Sequence, residues 1–236
     1  MNEQIERIKA KFDQLKRLDK NFEVFGSEKH RYAFNQTKSE KELTEFEKNN
    51  GIKLPTEYKE FLMQIGNGGA GPYYGLEPIE NGLFADLDYK DKNDLNDLSK
   101  PFPQTEHWNL DFGEVTDENE DEYFAKKDEE YYQNKWANGL LRVSNFGCGV
   151  SMNLVVNGKE YGNLWVDDRC NEQGIYPNPY IENRDRITFL DWYENWIDNE
   201  VKKLLATTYK NNGGNPAKTN DNNNNKLWTK LKSLWT

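Results

Sequence analysis

Apolar residues recur at helical spacing in several stretches of the chain. Ile5, Ile8, Phe12, Leu15 and Leu18 form one stripe near the start, which predicts an amphipathic helix packed by that face on the rest of the molecule. Leu43 and Phe46 share a face in the acidic stretch after Ser39, and Tyr58, Phe61, Leu62 and Ile65 share another. The broadest apolar face belongs to Thr188–Leu205, with Phe189, Trp192, Tyr193, Trp196, Ile197, Val201, Leu204 and Leu205. Its rings repeat at core spacing, so it predicts a helix closing over a sheet. Between these helices the period drops to two. Gly139–Phe146, Ser151–Val156 and Tyr161–Val166 read as strands of an antiparallel meander, with turns at Gly147–Gly149 and Asn157–Gly158. The second dipeptide is the stronger hairpin signal. Further extended pieces are expected over Pro72–Ile79, weakly over Thr105–Phe112, and around Phe22–Phe25. A short helix is expected around Asp91–Leu98, and Asp167–Ile187 reads as a long connection. Helices and a largely antiparallel sheet together predict a single α+β domain.

The punctuation between Lys38 and Pro78 is more specific than the periodicity. Ser39 and Glu42 have the spacing of a capping box. Asn49–Asn50–Gly51 is a helix stop, and Leu54–Pro55 starts the next helix with proline at its first position. Asn67–Gly68–Gly69 ends that helix, followed by Gly75–Leu76 and Pro78. This series, with the later Gly147–Cys148–Gly149 turn, the paired strands and the aromatic closing helix, resembles the SUKH superfamily over about residues 36–205. That group includes fungal cell-wall assembly and glucan-synthesis regulators and many bacterial immunity proteins. The resemblance implies a SUKH-like fold in which the Pro72–Ile79 strand joins the main sheet. Its glycines and prolines set the fold and mark no catalytic site.

Around that core, residues 1–35 read as a helix and connection, about 83–135 as an acidic insertion, 206–225 as an Asn-rich linker, and 226–236 as an amphipathic tail peptide. The tail places Leu227, Trp228, Leu231, Leu234 and Trp235 beside Lys226, Lys230 and Lys232. So short a peptide is marginal as a free helix. It gains structure only by docking, with the chain's own acidic segment as one dock and a frayed terminus as the bland alternative. Pairing of either terminal helix with a second copy leaves a homodimer open.

Charge changes the picture most. The net charge is −10, and residues 83–135 hold 16 acidic and 6 basic side chains, leaving 25 of each in the remainder of the 41 and 31. The whole imbalance belongs to one segment, which suits steering of a basic partner and opposes direct binding of nucleic-acid phosphates. Its centre, Asp111–Tyr132, interleaves Asp117, Glu118, Glu120, Asp121 and Glu122 with Tyr123, Phe124, Tyr131 and Tyr132. Those acids are the charged candidates for partner binding and those rings the anchors, on an exposed acidic loop. The alternative is a solvated loop that only aids solubility. Tyr73 and Tyr74 form a second candidate contact.

Candidate chemistry is sparse. His30 and His107 are the only histidines, and neither adjoins a nucleophile motif or gives a metal-ligand spacing. Cys148, between two glycines, reads as a small turn residue. Asp121–Glu122 and Asp167–Asp168 are adjacent in sequence, which does not set two carboxyls across a glycosidic bond. No Gly-rich loop opens a helix, and the acidic run lacks the glycine and closing Glu of a calcium loop. No cofactor or metal is expected. No run of about 18 apolar residues is present, and the first residues lack an apolar signal core, so a cytoplasmic protein without a membrane span is expected.

Resemblance to the bacterial branch implies a non-catalytic immunity protein that binds a cognate toxin domain, with a basic nuclease as the toxin best matched to the acidic segment. The alternatives are a regulatory scaffold resembling the fungal cell-wall regulators and, more remotely, a carbohydrate hydrolase with paired carboxylates.

Overall fold

The computed structural model of the protein describes residues 3–84, 95–178 and 186–211. The N-terminal stripe forms α1 (Glu3–Leu18), burying Ile5, Ile8, Phe12 and Leu15. A single-turn α2 (Ser27–His30) follows, and the extended piece expected around Phe22–Phe25 does not form a strand, Phe22 taking a positive φ of 56°. The α3 helix (Glu40–Asn50) starts on the expected capping box: the Ser39 hydroxyl accepts from the Glu42 amide at 3.3 Å, and the Glu42 carboxylate accepts from the Ser39 amide at 2.8 Å. Gly51 closes the helix with φ 65°. Pro55 sits at the N-cap of α4 (Thr56–Gln64), one place earlier than expected, because its ψ of 133° is still extended.

Four strands form one antiparallel sheet in the order β1–β2–β3–β4: β1 Leu140–Gly147, β2 Val150–Val155, β3 Leu164–Asp168 and β4 Gly174–Pro177. β4 lies inside what the sequence presents as a long connection, since four residues between a glycine and a proline carry no period of their own. The tight hairpin is the first one: Cys148 and Gly149 link β1 to β2 with φ of 51° and 79°, the positive pair a two-residue turn requires. Asn157–Gly158 is instead the start of a wider loop. The Phe102 amide donates to the Asn157 carbonyl at 2.8 Å, so the dipeptide is engaged outside the hairpin.

Pro72–Ile79 does not form a strand. Tyr73 turns the chain at φ 57°, and the segment meets the sheet through one isolated bridge, Leu76 to Ser144 of β1, flanked by backbone bonds from the Glu77 amide to the Val143 carbonyl at 2.9 Å and from the Tyr74 amide to the Asn145 carbonyl at 3.4 Å. Ser144 fixes this contact by donating its hydroxyl to the Gly75 carbonyl at 2.9 Å. The Asn67–Gly68–Gly69 turn is explained by the same neighbourhood. The Asn67 side chain accepts from the Ile79 amide and donates to Glu80, both at 2.9 Å. A Cβ on Gly69 would lie 2.4 Å from the Ala33 carbonyl oxygen.

The sheet is covered on both faces. Leu141, Val143, Met152, Leu154, Leu164 and Val166 point into the main core with α1, α3, α4 and α6 (Phe189–Asn211). There Phe61 meets Phe189 and Tyr193 edge-on at 5.0 and 4.9 Å between ring centroids. α1 runs parallel to α6, with Gln4 bonded to Asp191, Arg7 to Glu194 and Lys11 to Asp198. The alternate residues Leu140, Val155, Trp165 and Ile175 point the other way, into a smaller cluster with Phe102 and Ala137. That second face is covered by residues 95–136.

The first half of the helix expected around Asp91–Leu98 falls outside the described residues; the second half is not helical, and Leu95 bridges Phe84. α6 continues past Leu205 to Asn211, and the remaining linker and tail peptide lie outside the described residues. Among those described, no helix is long and apolar enough to cross a membrane.

Candidate partner-binding surface

Residues 111–132 of the acidic segment are folded, not an open loop. Asn119 organises its start: its side chain accepts from the Thr116 amide at 2.7 Å and donates to the Glu114 carbonyl at 2.9 Å. The turn that results feeds α5 (Glu120–Lys126), whose first turn is Glu120, Asp121 and Glu122. Acids at a helix N-terminus are favoured by the backbone dipole, which explains why so charged a run is helical. α5 then loosens into a π-type turn over Lys127–Tyr131.

Two cations and one ring attach this segment to the sheet. The guanidinium of Arg169, buried after β3, is paired with both oxygens of Asp167 at 2.8 and 2.7 Å. Its third nitrogen donates to the carbonyls of Tyr131 and Gln133 at 3.0 and 3.2 Å. The Lys127 ammonium, only 7% exposed, pairs with Glu172 in the β3–β4 turn. Burial alone would lower its pKa; the Glu172 bond and the neighbouring phenols more than offset that and raise it above the ordinary lysine value. Tyr131 is 1% exposed, stacked on Trp108 at 5.7 Å, with its hydroxyl bonded to Asn109. Burial pushes its phenol up to about 12. Trp108 in turn pairs with Ile175 of β4 through two backbone bonds of 2.9 and 2.8 Å.

The expected contact residues therefore divide. Asp117, Glu118, Glu120, Asp121 and Glu122 are all exposed on or just before α5. Phe124 and Tyr132 are exposed by 47% and 40%, and Tyr123 is half-buried, edge-on to Phe112 and Phe124. Tyr131 is not at the surface: it belongs to the cover of the second face, a role its identity in a charged run does not reveal. Tyr73 and Tyr74 lie elsewhere, at the β1 edge. Tyr74 is exposed and packs on Phe25 at 5.0 Å, and Tyr73 packs on Phe146 at 4.1 Å. Exposed Phe25 and Phe146 complete this aromatic patch. Neither ring is singled out by the sequence as a contact residue: Phe25 lies in the connection before α2, and Phe146 at the end of β1 just before the hairpin turn.

Both surfaces lie toward the end of the sheet that carries the β1–β2 and β3–β4 turns. Those turns touch: a Cβ on Gly149 would lie 2.9 Å from the Cys170 Cβ. Cys148 and Cys170 are both exposed free thiols there. Burial and the carboxylates of Asp168 and Asp167 push the Cys170 thiol up to about 11, so it is held as the unreactive thiol at neutral pH. Among the described residues, no group of three or more His, Cys, Asp or Glu side chains is placed to hold a metal ion.

The model of the SMI1/KNR4 family (SUKH-1) matches residues 38–179. The chain belongs to this family. The SUKH match runs from the residue before the capping box to just beyond β4, and so takes in the acidic segment with the sheet it covers; α1 and α6 flank it. No curated protein and no solved structure matches the chain.

Proposed function

We propose that this SUKH protein is a non-catalytic immunity protein of the cytoplasm that binds a cognate toxin domain and occludes its active site or substrate groove. The observation that carries the reading is the ordered acidic cover: carboxylates outward on α5, the Phe124 and Tyr132 rings exposed among them, and the whole fixed to the sheet by Arg169 and Lys127. A fixed array of negative charge raises the encounter rate with a basic groove, and the rings set residence time. A nuclease is the toxin class that presents such a groove, where the α5 carboxylates stand in for nucleic-acid phosphates.

The test is co-purification with the product of an adjacent toxin-like gene, at low and high salt. The expected result is tight binding that weakens when Asp117, Glu118, Glu120, Asp121 and Glu122 are changed to lysine. Binding indifferent to those changes moves the contact to the Phe25, Tyr74 and Phe146 patch. Binding of several host proteins, with none encoded nearby, replaces the reading with a regulatory scaffold.

A further inference from the structure

Behind α5 the acidic segment leaves a cavity of ≈ 280 Å³ against the β3–β4 turn. That is below the about 300–1,000 Å³ of sites for drug-sized ligands, and it suits a single inserted side chain. Phe112, Tyr123 and Tyr131 line it. Phe112 stands edge-on to the other two rings, at 6.1 and 5.8 Å between centroids. Asp111, Lys127 and Glu172 are its charged lining residues.

The charges are unequally committed. Lys127 is spent on Glu172 and lies 5.6 Å from the Tyr123 ring centre. Asp111 uses one carboxylate oxygen, accepting from the Gly113 amide at 2.8 Å, and Glu172 uses one on Lys127. The second oxygen of each has no other partner among the described residues. The lining thus carries one net negative charge beside the acidic first turn of α5. An anion is repelled by that field. A cation is attracted both by the carboxylates and by the faces of the rings.

We propose that this cavity receives an arginine side chain of the bound partner protein. A planar guanidinium stacks on Tyr123 or Phe112 while its forked N–H groups reach Asp111 and the open oxygen of Glu172. An ammonium is a point charge and reaches one of the two. Lys127 then has a positioning role: it clamps the α5 side of the cavity to the β3–β4 turn and keeps the two walls at a fixed spacing. This deepens the toxin-binding reading and rests on it, naming the anchor side chain where that reading names only a basic partner.

The experiment uses the full chain and a capped Gly-Arg-Gly peptide, followed by the ring resonances of Phe112, Tyr123 and Tyr131. The control peptide carries citrulline, which keeps the shape of arginine without its charge. The expected result is saturable shifts at these rings, with about thirtyfold weaker binding for citrulline and for the Asp111→Asn and Tyr123→Ala variants, the scale of one interface hot spot. Asp111→Asn keeps an oxygen for the Gly113 amide, so it separates lost charge from lost folding. Equal binding of the citrulline peptide, or shifts confined to other residues, overturns the proposal.

The toxin arm distinguishes the two readings. If the wild-type chain binds the toxin and Asp111→Asn binds it equally well, the arginine anchor fails and the immunity reading stands. If the arginine peptide fills the cavity and no toxin binds, the site stands and the immunity reading fails.

Discussion

The two faces of the sheet are covered by opposite means. On one face, α1, α4 and α6 bring unbroken apolar stripes, and the contacts are between buried rings such as Phe61, Phe189 and Tyr193. On the other, the small cluster around Trp165 and Ile175 is roofed by a segment rich in acidic side chains. That roof is held by few side chains: Trp108 and Tyr131 as apolar weight, Arg169 and Lys127 as buried cations satisfied by carbonyls and carboxylates. The first arrangement relies on area removed from water. The second relies on specific partners for groups that are costly to bury alone. The difference explains how one molecule keeps a stable core and still presents a rigid, highly charged surface.

Substitutions on the two faces therefore differ in size and kind. The largest effect is expected on the helical face: Phe61→Ala lowers global stability by about 4 kcal/mol through the cavity it leaves, read as a shifted urea midpoint. On the other face Arg169→Leu strands Asp167 and two carbonyls, and costs about 3 kcal/mol, the low end for breaking a buried pair. Its mark is regional: amide exchange speeds up across residues 105–136 and much less in α6. Equal acceleration in both regions would show that the faces unfold as one unit. Ser39→Ala removes a capping box and costs about 1 kcal/mol, again on the helical side.

Acid should also act on the helical side first. The half-buried His30 accepts from the Tyr32 amide at its Nδ1, at 3.1 Å. Burial is the main cause holding its pKa below the ordinary value, with the Gly71 backbone and then nearby Asp19 opposing. A folded pKa below the unfolded one means the unfolded chain binds the proton more readily. The His30 contribution is therefore complete above the unfolded value of about 6.5 and is lost as pH falls through the depressed folded value. A urea series from pH 7.5 downward should show this loss, and His30→Gln should remove it; an unchanged slope in that variant would assign the effect to carboxylates. The smallest effect is expected at the exposed acids. Asp117→Lys, just before α5, should leave the melting temperature of the free protein unchanged while altering partner binding, and Asp121→Lys, in the first turn of α5, should lower it only slightly through the helix dipole; a marked drop for Asp117→Lys would give that acid a structural role.

The elements that were legible in the sequence are those whose signal is local. The capping box at Ser39, the stop at Gly51 and the broad stripe of α6 each follow from residues a few places apart. Tertiary pairing overrode the local signal elsewhere. Asn157–Gly158 has the better hairpin dipeptide, yet Cys148–Gly149 makes the tight turn, because Phe102 claims the Asn157 carbonyl. Pro72–Ile79 reads as a strand with an aromatic pair, but Tyr73 adopts a positive φ and the segment meets β1 through a single bridge at Leu76 and two flanking backbone bonds. At the candidate site the charge could be counted from the chain, and the exposed acids are where the count put them. The burial of Tyr131 could not be foreseen, since its partners Trp108, Asn109 and Arg169 are distant in sequence.

The sequence by itself determined the family pattern, the helices α1, α3, α4 and α6, the central meander and the concentration of negative charge in one segment. Each depends on side-chain spacing and residue type along the chain, which short-range physics reads directly. Only the tertiary structure decided that this charge forms a roof over the second face of the sheet, which of its rings are roof and which are surface, and that a cavity remains beneath α5. Those outcomes depend on which distant groups neutralise Arg169 and Lys127, and a buried charge takes its place from its partners, not from its neighbours in the chain.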